Sequence, residues 1–119
     1  MKNKDNKKFI ERDYKLMDAI ERDQYTSQRG LAEELNFSIG KVNYVLKSLL
    51  SRGLVKIDNF VSSKKKYEYA YILTPEGVKE KMKITKLFLN EKMREYDLIQ
   101  KEINELEKKI KEKEPYQKK

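Results

Sequence analysis

Residues 38–53 read SIGKVNYVLKSLLSRG, and the reading of this stretch decides the fold. At 100° per residue, Ile39, Val42, Val45, Leu46, Leu49 and Leu50 fall on one arc. Gly40, Lys41, Asn43, Tyr44, Lys47, Ser48 and Ser51 fall on the other. Ser38 stands where a hydroxyl can accept a first-turn N–H, and Gly53 stands where the chain needs a positive φ to leave a helix. An amphipathic helix over Ile39–Arg52 follows. Just upstream, Thr26 and Ser27 offer the same capping chemistry to a helix of about two to three turns carrying Leu31, Ala32 and Leu35. Asn36 and Phe37 interrupt that pattern. Two cap-delimited helices so close together read as a helix-turn-helix.

Working outward, Phe9, Ile10, Tyr14, Leu16, Met17 and Ile20 form a helical stripe upstream, and the aperiodic, lysine-rich residues 1–8 read as a flexible basic arm. After Gly53 the period drops from 3.6 to 2. Val55 and Ile57 alternate with Lys56 and Asp58, and Tyr67, Tyr69, Tyr71 and Leu73 alternate with Glu68, Ala70 and Ile72. These are two strands, joined by a connector over Val61–Lys66 that lacks a two-residue turn signal. The tyrosine alternation fits either strand packing onto helices or a base-stacking sheet, and packing is the commoner use. Thr74 then caps a new helix with Pro75 at its first position, while Gly77 is expected to weaken the first turn.

No further Gly or Pro appears until Pro115, so this last helix should run to about Glu112, some ~55 Å, which is longer than a domain this small is wide. In its far half Leu89, Tyr96, Ile99, Ile103, Leu106 and Ile110 keep an a/d pattern over roughly three heptads, with Lys92 at one d position. These residues are the expected dimer interface. In a parallel pair the flanking contacts would be Glu95–Gln100, Glu102–Glu107 and Lys109–Glu114, one of them like-charged, which leaves antiparallel or multi-helix packing open. The fold class expected is mainly α (α+β): a winged helix-turn-helix domain over 9–77, then one long C-terminal coiled-coil helix over 78–114. A disordered tail over 115–119 would close the chain.

Composition narrows the function. The 119 residues suit one domain, and 40% are charged against 38% hydrophobic, so little apolar area is available for a core. There is no His, Cys or Trp, which excludes thiol chemistry, disulfides and Cys/His zinc sites and removes the commonest neutral-pH general base. No Gly-rich phosphate loop or metal-spaced acidic cluster appears, so the expectation is a non-enzyme without cofactor or metal. The longest apolar run, Tyr69–Leu73, cannot span a bilayer and no signal segment follows Met1, so no membrane role and a cytoplasmic location are expected. The net charge of +8 is unevenly spread: residues 1–37 net zero, residues 38–67 net +6, and residues 68–119 net +2. Such a local excess suits a polyanion contact, although a solubilising surface would look the same.

The order of elements, two helices, a recognition-type helix and a ribbon with a basic tip, is that of a winged helix. The chain also resembles the short MarR-type winged-helix transcriptional regulators, in particular the subgroup associated with exopolysaccharide gene clusters. The resemblance is carried by Ser27-Gln28-Arg29, Leu31-Ala32-Glu33-Glu34-Leu35, Ser38-Ile39-Gly40-Lys41-Val42-Asn43-Tyr44, Gly53-Leu54-Val55-Lys56 and Leu73-Thr74-Pro75-Glu76-Gly77, and covers about Gln24 to Leu106. It implies transcriptional control, of exopolysaccharide genes in that subgroup; with the seam above, the expectation is a homodimer on double-stranded DNA. The chain departs from the family in three places. Gly30 replaces a helix-favouring acidic residue, which costs up to about 1 kcal/mol of local helix stability. The wing tip carries lysine where larger members often present arginine. Only one long helix follows the wing, so the ligand pocket of larger members does not carry over and any small-molecule effector is unknown.

The candidate DNA-binding residues follow. Asn43 can bond adenine bidentately, Lys41 and Lys47 can reach guanine or phosphate, and Gly40 allows close backbone approach. Tyr44 offers a hydroxyl to phosphate or a ring to a thymine methyl, and Ser38 opens the helix. Ser27, Gln28 and Arg29 open the preceding helix and can meet a phosphate. Lys64, Lys65 and Lys66 at the wing tip suit the DNA backbone. A twofold dimer should select an inverted repeat. The rival expectation is a protein-interaction adaptor whose long C-terminal helix docks a heterologous partner.

Overall fold

A computed structural model describes residues 2–23, 25, 27–61 and 67–113. The elements are α1 (Lys2–Arg22), α2 (Gln28–Leu35), α3 (Ile39–Ser51), β1 (Val55–Val61), β2 (Tyr67–Leu73) and α4 (Pro75–Lys113). The order is that of a winged helix-turn-helix followed by a long helix, as the sequence reading expects. The first boundary differs. Helix α1 begins at Lys2, so residues read as a flexible arm form its first turns. A lysine-rich stretch without Gly or Pro has good helix propensity even where it lacks an apolar period. The wing tip, 62–66, and the tail, 114–119, lie outside the described residues.

The caps are where side-chain chemistry puts them. The Gly30 N–H donates to Ser27 Oγ at 3.1 Å, and the Lys41 N–H donates to Ser38 Oγ at 3.0 Å. Between the two helices Asn36 takes a left-handed conformation with φ 57°, and Phe37 N–H returns to the Ala32 carbonyl at 3.0 Å. Helix α3 ends on Gly53, whose φ is +72°, with Leu54 N–H donating to the Leu49 carbonyl at 2.9 Å. Strands β1 and β2 pair antiparallel from Val55 opposite Leu73 to Val61 opposite Tyr67. Tyr71 N–H also donates to the Tyr25 carbonyl at 3.1 Å, which ties the α1–α2 connection to the ribbon. A single rung of this kind has no periodicity, so the sequence carries no signal for it.

The junction of wing and α4 corrects the reading of Gly77. Thr74 Oγ1 accepts the Gly77 N–H at 3.0 Å and donates to the Gly53 carbonyl at 2.6 Å, while Thr74 N–H donates to the Leu54 carbonyl at 3.0 Å. A Cβ on Gly77 would stand 2.0 Å from the Leu54 oxygen. The glycine is therefore the residue that lets α4 start against the end of α3, and any loss of helix propensity is secondary.

Residues 1–88 form one compact unit and residues 89–119 a second. In the first, Leu16 and Met17 of α1, Leu31 of α2, and Val42, Val45, Leu46 and Leu49 of α3 are sealed from solvent, and Val55 and Ile84 close the core. Truncating one of the leucines to Ala should cost about 2–5 kcal/mol. Ile39, assigned by its arc to the buried face, is 46% exposed, because the first turn of α3 extends past the core. The core also reaches beyond residue 77, the boundary read from the sequence. Ile84 is buried in it, and the Phe88 ring stacks on Tyr14 at 5.0 Å. Lys81, with a side chain only 16% exposed, donates to Asp18 Oδ1 at 2.9 Å and to Glu21, fastening α4 to α1.

In the second unit Leu89, Tyr96, Ile99, Ile103, Leu106 and Ile110 are all exposed, between 43% and 64%. Among the described residues, no helix is long and apolar enough to cross a membrane, and no cluster of acidic side chains could hold a metal ion.

Candidate nucleic-acid interface

The buried stripe of α3, Val42, Val45, Leu46 and Leu49, fixes which way its other side chains face. Gly40, Lys41, Tyr44 and Lys47 are exposed and Asn43 is half-buried, so the polar arc read from the sequence is an open face. Tyr44 is 63% exposed, so its ring and hydroxyl are open to a partner. Helices α2 and α3 together present two N-termini. Their first amides have no carbonyl a turn earlier to bond, and the macrodipole adds partial positive charge there. Ser27 and Ser38 each use an oxygen lone pair on the cap, which leaves the hydroxyl hydrogen free to donate outward.

Asn43 Nδ2 donates to Gln28 Oε1 at 3.3 Å across the two helices. This contact joins two of the candidate residues and aligns the Asn43 amide. One N–H and the Oδ1 atom remain, and these are the donor and acceptor a bidentate adenine contact requires. Lys41 Nζ lies 3.9 Å from the Phe37 ring centroid, beside α1. Arg29 and Lys47 are exposed at the margin and on the face respectively. Lys64, Lys65 and Lys66 lie outside the described residues. Of the wing tyrosines, Tyr71 packs against the core as the strand reading expects, whereas Tyr69 is 66% exposed.

Arg12 was not legible as part of this surface. It comes from α1, and its guanidinium carbon lies 4.6 Å from the Phe9 ring centroid and 5.4 Å from that of Tyr44. Its neighbour Asp13 also reaches α3, accepting from Arg52 at 3.3 Å. An arginine on the edge of an ordinary amphipathic helix carries no sequence signal of such a partner. Only the crossing of α1 and α3 brings them together.

Residues 11–56 match the family described as winged helix-turn-helix DNA-binding. The fold is a winged helix-turn-helix. Solved structures with this fold include a PadR-like transcriptional regulator from Bacillus cereus, 16% identical, covering 74% of this chain and 90% of its own with a TM-score of 0.65. A Streptococcus mutans protein is 17% identical over 76% of this chain and 88% of its own, with a TM-score of 0.64. MepR, a transcription regulator of the Staphylococcus aureus multidrug efflux pump MepA, is 21% identical over 86% and 74%, with a TM-score of 0.53. No curated protein matches the chain. At these low identities the winged helix-turn-helix fold is what is shared.

Proposed function

We propose that this winged helix-turn-helix is a sequence-specific double-stranded DNA-binding transcriptional regulator acting as a homodimer. Helix α3 enters the major groove, the wing over 54–73 follows the backbone, and the second part of α4 pairs with its copy. One observation carries this reading: the open polar face of α3, with Gly40, Lys41, Asn43, Tyr44 and Lys47 turned away from the core. Asn43 and Lys47 are assigned to base edges, and Ser27, Arg29, Lys41 and Lys64–Lys66 to phosphates. The exposed seam of α4 supports the dimer, since six large apolar side chains at heptad spacing remain uncovered in one copy. A link to exopolysaccharide genes rests on the motif resemblance, and the protein would work, without catalysis, in the compartment that holds the DNA.

Titration of a fluorescent duplex with wild type and with Asn43→Ala/Lys47→Gln tests the assignment. The variant should lose at least roughly 5- to 150-fold in affinity for its preferred sequence, the worth of one of the two base contacts removed. Equal affinity for wild type and variant would instead favour the adaptor reading, with α4 docking a heterologous partner.

A further inference from the structure

A cleft of about 480 Å³ opens between the first half of α1 and the start of α3. Phe9 and Phe37 line it, and so do Lys8, Arg12, Lys15 and Lys41. The single carboxylate at its rim is Glu11, whose Oε2 pairs with Lys15 at 2.9 Å. Arg12 pairs with Asp13 Oδ1 at 3.5 Å, but among the described residues neither Lys8 nor Lys41 has a carboxylate partner, and the cleft keeps excess positive charge. Concentrating cations in a concave wall costs free energy through their mutual repulsion unless an anion relieves it.

From this cleft we infer that α1 is a third element of the DNA interface: Lys8, Arg12 and Lys41 take backbone phosphates at one flank of the site α3 reads. The inference rests on the proposed role of α3. Placement supports it. On the α3 wheel, Lys41 lies about 100° round from the centre of the open face and Tyr44 between the two. A helix seated in the major groove has a phosphate strand along each side, so the element flanking Lys41 meets that strand. Arg12 is stacked beside Phe9 and Tyr44, and those rings are 47% and 63% exposed, giving one continuous surface from α1 to α3. The contacts of α1 with α4, made by Tyr14, Asp18 and Glu21, lie on another edge of the helix and leave Lys8 exposed on this one, with the Arg12 side chain 18% exposed beside it.

The occupant is duplex phosphate and not a small organic anion, because the cleft is continuous with the α3 face. A small acid is the alternative outcome of the test. The probes are a 30-base-pair duplex and sodium benzoate, with Lys8→Gln, Lys8→Gln/Arg12→Gln and Asn43→Ala as variants of the full chain. Lys8 is exposed on the surface, so its single variant remains informative if the double variant folds poorly. Each lost phosphate contact lowers the slope of log affinity against log salt by about 0.9. Lys8→Gln should lower it by about one and the double variant by about two, with no change in base preference. Asn43→Ala should change base preference and leave the slope. An unaltered slope in both cleft variants overturns the inference, and so does a benzoate-induced rise in melting temperature that Lys8→Gln/Arg12→Gln abolishes. If Asn43→Ala also has no effect, the reading of α3 itself fails.

Discussion

Gly77 shows how much of the architecture one atom can control. Its missing Cβ leaves room for the Leu54 carbonyl, which accepts the Thr74 N–H and so anchors the start of α4 to the end of α3. Gly77→Ala should cost about 1–3 kcal/mol or more, since backbone and not a flexible side chain blocks the methyl, and thermal unfolding reads it directly. At Asp18, burial favours the neutral acid, but bonds from Lys81 and Arg22 outweigh it and hold the carboxyl below its ordinary range. A lowered folded pKa stabilises the fold above about pH 4 and loses that contribution as pH falls through the folded value. Wild type should therefore lose more stability than Asp18→Asn between pH 5 and pH 2, measured by urea unfolding. Asp18, unlike the caps Ser27, Ser38 and Thr74, could not be picked out in advance. A cap announces itself through neighbours in the chain, whereas Lys81 is 63 positions away.

Among the elements, α3 was the most legible because its apolar period, its cap and its terminal glycine agree. Only its edge, Ile39, faces solvent against the pattern. The two strands were legible through alternation, whereas their register, with Val55 opposite Leu73 and Ile57 opposite Tyr71, was not. The start of α1 was not legible, since a lysine-rich stretch without apolar periodicity leaves no pattern to read. Nor was the cleft between α1 and α3, which depends on a crossing of helices. For α4, the seam makes a separate prediction. Ile99→Lys/Ile103→Lys changes two exposed positions, so the melting of residues 1–88 should stay within about 0.5 kcal/mol of wild type. The mass in sedimentation equilibrium should fall from dimer to monomer, and an unchanged mass would remove α4 as the interface.

For the whole molecule, the high charge and the small core have separate origins. The +6 of residues 38–67 belongs to α3 and the wing, the part proposed to meet DNA. The apolar side chains missing from the core are on α4, exposed at heptad spacing and suited to a second copy. A twofold pair of α3 helices would read two half-sites in inverted orientation, about one helical turn apart or a multiple of it. Selection from random duplex DNA tests this most directly. The wild-type chain should enrich an inverted repeat with that spacing, and replacing Lys41, Asn43 and Lys47 together by alanine should abolish the enrichment. Failure to enrich any motif, with DNA retention the same for wild type and variant, would contradict it.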